Sequence, residues 1–358
     1  MRKFTLLFIS IITITFSTKA QEGFEGILLA DSGDSNKLME AYFAPAMEGF
    51  IYGMNNGWYH TAKVHKKFGF DLSLGLNAAQ VPTEKELFNI QALGLVSVTS
   101  SASTASTFAG PDNETTFTAT RTFTFTDNGG NQRTEEFSAD FNTPGGVTGD
   151  LPLNAVPAPI AQLTLGLPFF DTDVMLRFLP KINLGDDGST EMFGIGLKKE
   201  ITSWFGPLDK LPLHVSLLGT YTSMKVDYNI EDQALPSGDE SGIGITDGFA
   251  EFDLSAYNVQ AIASLNFPII NIYGGFGYSS GDSNFKMNGT YQGRFTYSEN
   301  GQTFSETVTL TPPDLKFSAS GFKSTIGARL SLGFFKIFGA YTLQEYNTFS
   351  AGIAISIR

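Results

Sequence analysis

The chain has 358 residues, no cysteine, 36 acidic against 23 basic residues and a formal net charge of −13. That balance argues against a nucleic-acid partner, which needs a basic surface, and without cysteine no disulfide contributes. Phe dominates the aromatics, Gly is abundant and only 16% of residues are charged, which fits lipid-facing strands joined by acidic loops.

Arg2 and Lys3 precede an apolar run from Phe4 to Phe16, and Thr18-Lys19-Ala20 brings a small residue before Gln21. Residues 1–20 therefore read as a cleavable export signal, with cleavage near Ala20/Gln21. The run is shorter than the ~20 apolar residues of a helical anchor, and no Cys follows it to carry a lipid. Its removal leaves 20 basic and 36 acidic residues, a net charge of −16. No later segment is apolar over a helix-spanning length, so residence in a membrane would require closed strands.

Residues 21–66 form a segment of different character. Asp34, Ser35 or Asn36 is placed to cap a short helix through Phe43, stopped near Pro45. Leu38, Met39, Tyr42, Phe43 and Pro45 need burial, which either a plug in a barrel lumen or a periplasmic tail would give. The plug is the favoured expectation, with residues 67–358 as the barrel.

Strand signals follow. Phe68 to Asn77 alternates apolar with small or polar residues, turning near Pro82, and a return run starts near Leu87. Residues 97–114 read as a polar loop and 142–160, rich in Pro and Gly, as a connector. Thr115–Thr126 and Arg133–Phe141 make a hairpin reaching beyond the membrane or into a loop. Asp171 to Asp173 and Asp186-Asp187-Gly188 read as turns, without the spacing of a calcium loop. Trp204-Phe205 marks an interfacial turn, 231–253 an acidic outer loop, and Asn300-Gly301 a hairpin.

The last 37 residues carry the firmest pattern. From Phe322 to Phe334 one register holds Phe322, Ile326, Leu330 and Phe334, and the other holds Lys323, Thr325, Gly327 and Arg329. Side chains alternate faces along a strand. An Arg facing lipid at mid-bilayer would cost about 2–4 kcal/mol, so Ile326, Ile337 and Ile353 should touch lipid and Lys323, Thr325 and Arg329 a lumen. The expected fold is an all-β, transmembrane antiparallel barrel of 14 strands, with 12 as the alternative, and a short N-terminal helical plug. Lys323 and Arg329 would pair with acids such as Glu40 or Glu48, or set solute selectivity.

Catalytic chemistry finds little support. His60 and His65, five apart, would face opposite sides of a strand, His214 sits alone at a strand start, and no Gly-x-Ser-x-Gly elbow occurs. No enzyme activity, cofactor or metal is expected.

Asn56-Gly57-Trp58, Thr61-Ala62-Lys63, His65-Lys66 and Gly69-Phe70-Asp71-Leu72, with Arg177-Phe178-Leu179-Pro180-Lys181 and Gly196-Leu197-Lys198, resemble a family of uncharacterised bacterial outer-membrane barrels. The organisation of signal, plug and barrel is similar to the FadL-type outer-membrane transporters. Neither resemblance supplies an activity; the apolar-rich N-terminal segment, suited to line a greasy pocket, leads to the expectation of a monomer in outer-membrane lipid whose plugged lumen passes or binds a small hydrophobic solute. A surface scaffold or secretion-accessory barrel is the alternative, and a barrel lipid hydrolase a third.

Overall fold

The computed structural model describes residues 23–127, 129–168, 170–183 and 188–357. The expected signal and its cleavage point lie outside the described residues. The described chain opens with a 3-10 helix, Phe24–Leu29, and one long helix, α1 (Ser32–Met54). Asp31 caps α1, its side chain accepting from the Asp34 N–H at 2.8 Å. The helix runs 23 residues, straight past Pro45, rather than stopping there. A mid-helix proline costs about 3 kcal/mol, but Met47, Ile51, Tyr52 and Met54 beyond it are all buried, at about 1.5–3 kcal/mol each. Packing outweighs propensity.

After α1 come β1 (Phe70–Gln80) and an excursion carrying β2 (Leu87–Asn89), β3 (Val98–Thr99), β4 (Thr104–Ser106), β5 (Thr115–Thr126) and β6 (Gln132–Thr143). Then follow β7 (Ala155–Gly166), β8 (Thr172–Asn183), β9 (Gly188–Glu200), β10 (Leu213–Asn229) and β11 (Gly242–Asn266). The chain finishes with β12 (Ile270–Glu299), β13 (Gln302–Leu310), β14 (Asp314–Leu332), β15 (Phe335–Leu343) and β16 (Thr348–Ile357). Among the described residues fourteen strands share one antiparallel sheet, of which ten close on themselves: β1, β7 to β12, β14, β15, β16 and back to β1. The expected count of 14 spanning strands, or 12, is thus corrected to a ring of ten. The return run at Leu87 pairs with β4 outside the ring, and β3, β5, β6 and β13 continue the sheet from the top of β12 as an upper lobe.

Several boundaries also differ from expectation. β7 begins at Ala155, inside the expected connector, and β11 at Gly242, inside the expected acidic loop. Pro157 and Pro159 sit in β7 where β8 has not yet joined it, since those two strands pair only from Gln162 to Gly166. A missing N–H is tolerated at such a one-sided stretch. Asn300 and Gly301 both have positive φ, +53° and +77°, as the two-residue turn between β12 and β13 requires.

Burial separates lipid-facing from core-facing strands. On β14, Phe322 is 70% and Ile326 65% exposed while Lys323 is 2% exposed, so the register runs as expected. Exposed Phe322 to Leu332 spans ten steps of about 3.3 Å, which at a tilt near 40° is about 25 Å of height. Aromatic rings bound this belt at both ends. Above lie Tyr221 against Tyr257 (5.4 Å), Phe276 against Phe322 (5.9 Å) and Tyr341 against Phe349 (4.7 Å). Below, Phe68, Phe170, Trp204, Phe205, Phe267 and Phe334 stand exposed in the short turns.

Above the belt the apolar register changes face. On β12, Ile270, Ile272, Phe276 and Tyr278 point outward, whereas higher up Phe285, Met287, Tyr291 and Phe295 are buried inward. β11 switches near Ala256 and Tyr257, and β14 between Ala319 and Phe322. The inward faces join Phe117, Phe137 and Phe141 of the β5–β6 hairpin in one core around α1. Ile326→Arg should cost about 2–4 kcal/mol when unfolding is followed in lipid vesicles, against less than about 1.5 kcal/mol for Ile326→Val.

Candidate functional site: the plugged lumen

α1 and the coil that follows it occupy the inside of the ring. The expected plug residues Leu38, Met39, Tyr42, Phe43 and Pro45 are all buried. Phe43 packs on Phe24, Phe108, Phe252 and Phe285 at 5.0–5.9 Å between ring centres. These side chains bind the helix to the upper lobe.

Below them the interface becomes polar. A helix leaves its last carbonyls without partners, and here wall side chains supply them. Arg177 of β8 donates to Met54 O (3.0 Å), Asn56 O (3.1 Å) and Gln162 Oε1 (3.2 Å). Lys323 of β14 donates to Asn55 O (2.6 Å) and Asn56 Oδ1 (3.4 Å). Asn77 of β1 donates to Gly53 O and Asn56 O, and Gln162 of β7 to Trp58 O. Cations also suit a helix C-terminus because of the macrodipole. The Arg177 guanidinium lies 4.0 Å from the centre of the Trp58 ring, and that ring fits over Gly194 and Gly196, where added Cβ atoms would come within 3.1 and 3.2 Å of it.

Three carboxylates fix the coil further down. Asp71 accepts from Ser73 and faces His60 Nε2 at 3.3 Å, while Arg329 Nη1 lies 3.0 Å from His60 Nδ1. A guanidinium only donates, so Nδ1 accepts and His60 is the neutral Nε2–H tautomer, donating to Asp71. Asp173 takes Lys198 at 2.9 Å, His65 Nδ1 at 3.1 Å and the His65 backbone N–H. Glu200 meets His214 at 2.6 Å and the Val64 N–H. The Ala62 N–H donates to Ser264 Oγ and the Ala62 carbonyl accepts from Ser216 Oγ, while Thr61 Oγ1 lies 3.3 Å from Ser264 Oγ.

Several polar atoms along this seam have no hydrogen-bond partner among the described residues: Thr220 Oγ1, both amide atoms of Asn258, Ser279 Oγ and Ser350 Oγ. Thr220, Asn258 and Ser279 stand in one row across β10, β11 and β12. Beside the plug, Asn56, Gly57, Tyr59, Thr325 and Ser350 line a cavity with room for about one water molecule.

At the upper end Lys85 ties the plug to the rim, 2.6 Å from both Glu48 of α1 and Glu345 of the β15–β16 turn. Tyr346 donates to Glu48 and Tyr52 to Glu345, the two rings stacking at 5.2 Å. Part burial pushes the Glu345 carboxyl up, but hydrogen bonds from Lys85 and Tyr52 more than offset it, holding it below the usual carboxylate range. A depressed carboxyl pKa contributes stability above its unfolded value, about 4.3, and loses it as pH falls through the folded value. Hydrogen exchange of residues 81–86, corrected for intrinsic rates, should therefore stay protected at neutral pH and rise below about pH 4. Glu345→Gln should show the faster exchange already at pH 7.

The expected partners of the lumen cations are corrected. Lys323 and Arg329 do not meet Glu40, which is exposed, or Glu48, which is taken by Lys85. They bind carbonyls of the plug and His60 instead, while Thr325 bonds Thr342 at 2.9 Å. His60 and His65 lie in coil rather than on a strand, each with its own carboxylate. Asp171 is in the turn, but Asp173 has entered β8 and is buried. The sequence assigns no site role to Arg177, Asn77, Gln162, Lys198, Asp71 or Asp173, although Asp71, Arg177 and Lys198 stand in the motifs of the family resemblance. Each is a polar residue in the inward register of an otherwise apolar strand, the signal that picks out Arg329.

No curated protein matches the chain. The model of a family of unknown function, DUF6588, matches residues 1–357. The chain belongs to that family. DUF6588 carries no assigned activity in its description, which agrees with the resemblance to uncharacterised barrels. Among solved structures this DUF6588 chain is similar to the outer membrane protease OmpT from Escherichia coli, at 9% identity over 81% of this chain and 97% of that one, TM-score 0.33. It is also similar to Ail, the attachment invasion locus protein of Yersinia pestis, at 9% identity over 81% and 99%, TM-score 0.24. The translocator domain of the autotransporter NalP from Neisseria meningitidis matches at 11% identity over 82% and 90%, TM-score 0.25. At these scores the likenesses carry no argument about activity.

Proposed function

We propose that this protein is an outer-membrane barrel whose lumen is a gated channel for a small solute, closed at rest by residues 55–66. The belt of about 25 Å and its aromatic borders support the membrane placement, as does the signal-like composition of residues 1–20. The polar character of the plug–wall seam carries the channel reading. Hydrogen bonds exchange for water at a net cost of about 0.5–1.5 kcal/mol each between neutral groups and about 1.5–3 kcal/mol where the donor is charged, so water can replace the seam's partners one by one as it opens and re-forms. The N-terminal helix inside a strand ring parallels the FadL-type organisation. A hydrophobic solute would need Leu38, Met39, Tyr42 and Phe43 to line its path, but these are taken up in the core beneath the lobe. The solute is therefore small and hydrophilic, and the protein acts as a monomer.

Purified full-length protein in planar bilayers tests the channel: stepwise currents are expected, and a membrane that stays silent at every voltage would sink it. The folded upper lobe favours a second reading, a surface scaffold that holds an exported protein, and a silent barrel that still retained such a partner would decide for it.

A further inference from the structure

Four buried cations line the mid-lumen wall, Arg177, Lys198, Lys323 and Arg329, against two buried carboxylates, Asp71 and Asp173. Lys198 is paired with Asp173, and Arg329 is linked to Asp71 through His60. Among the described residues no carboxylate lies within ion-pair distance of Arg177 or Lys323. Both are almost wholly buried, and a buried cation without counter-charge is costly unless strong acceptors surround it. Its acceptors here all come from neutral groups, chiefly the oxygens of plug residues 54–56.

We propose that the seat of the α1 C-terminal turn is a binding site for a small oxyanion, which replaces the carbonyls of Met54, Asn55 and Asn56 when the plug moves. This rests on the gated-channel reading and names the class of solute that it would admit. The wall presents four donors from four strands: Asn77 of β1, Gln162 of β7, Arg177 of β8 and Lys323 of β14. All aim at oxygen atoms, and three of them converge on the single residue Asn56. A fork of guanidinium donors beside an ammonium and two amides matches a carboxylate or phosphate group. Its two buried cations repel a metal ion, and it offers little apolar surface to a hydrocarbon. The plug carbonyls hold the place of the ligand, so ligand binding and plug release are the same exchange of oxygens. An oxyanion that binds only the released state draws the equilibrium toward it.

The test uses the full chain in lipid vesicles carrying Ala62→Cys, the one thiol in a protein that otherwise has none. Ala62 is buried in the plug coil, so its reaction with a charged, water-soluble maleimide reports opening. Inorganic phosphate and acetate, in separate arms, should accelerate labelling saturably, about tenfold at ten times the dissociation constant. Potassium chloride of equal ionic strength should not. The arm that saturates at the lower concentration identifies phosphate or carboxylate as the preferred group. Lys323→Met and Arg177→Met, checked for heat-modifiable migration, should lose the oxyanion dependence whatever their basal rate. As a second measurement, wild-type current under a salt gradient should reverse toward the anion potential. Labelling that ignores phosphate and acetate, or follows chloride equally, overturns the oxyanion site and leaves the gated channel standing. Labelling only in urea, with no current, overturns both.

Discussion

Oxidised Gly53→Cys/Ala79→Cys protein should carry no current, and a thiol reductant should restore it in full. A Cβ built on Gly53 of α1 lies 3.9 Å from the Ala79 Cβ of β1, inside the 3.5–4.5 Å range of natural disulfides, and 3.0 Å from the Ala158 Cβ of β7, which must give by a few tenths of an ångström. The chain has no cysteine of its own, so this bridge would form without competition. Its position matters. Gly53 belongs to the helix turn whose carbonyls accept from Asn77, Arg177 and Lys323, the point where apolar packing above gives way to the polar seam below. Pinning that turn holds the coil 55–66 across the lumen and asks only a small shift of Ala158 in the ring. Each single cysteine variant should conduct like the wild type. Equal currents in the oxidised and reduced double variant would mean that solute bypasses the plug, and the gate would have to be sought in the lobe.

The barrel was legible in Phe322–Arg358 because there the chain stays within the membrane belt, and one register has one environment throughout. β5 shows why the count of strands was not. Its Phe117, Phe123 and Phe125 alternate with Thr as regularly as Phe322, Ile326 and Leu330 alternate with Lys323, Thr325 and Arg329, yet Phe117 is 0% exposed. A period of two says that one face is apolar; it does not say whether lipid or a protein core covers that face. The missing information is in the phase. Along β12 the apolar positions pass from Ile270, Ile272, Phe276 and Tyr278 to Phe285, Met287, Tyr291 and Phe295, a change from even to odd numbers. Lys286 and Asn288 then occupy the outer face. That shift is visible in the sequence and marks where the strand leaves the bilayer. It separates the part of a strand that faces lipid from the part that packs under the lobe. The plug contacts were legible only in part for a different reason. Arg177 and Lys323 are satisfied by backbone carbonyls, and a carbonyl has no sequence signature, so acidic residues such as Glu40 and Glu48 are no guide to the partners of these cations.

Gly196→Leu should unseat the plug while leaving the barrel able to fold. The indole of Trp58 occupies the room that Gly194 and Gly196 leave on β9, and a Cβ at 196 would already stand 3.2 Å from its ring, 3.1 Å from Thr220 Cγ2 and 3.3 Å from Met175 Cβ. Wall atoms on both sides leave a leucine no direction but into the indole. Overpacking costs typically about 1–3 kcal/mol. Displacing Trp58 also forfeits its stacking under Arg177, worth about 2 kcal/mol when desolvated. The effect should be read on Trp58 itself. The chain has two tryptophans, and Trp204 is exposed at the lower rim, so in a Trp204→Phe background, with excitation selective for tryptophan, the buried indole is the sole indole that emits. Gly196→Leu should shift its emission to the red, with heat-modifiable migration retained. Trp58→Ala alone should cost about 3–5 kcal/mol, and combining it with Gly196→Leu should cost less than the sum, because the leucine then fills the vacated slot. Additive losses and an unshifted emission would show that the glycines serve the strands and not the plug. Coupling between them would tie the shape of the wall to the one residue that lies between its buried guanidinium and the floor of the slot.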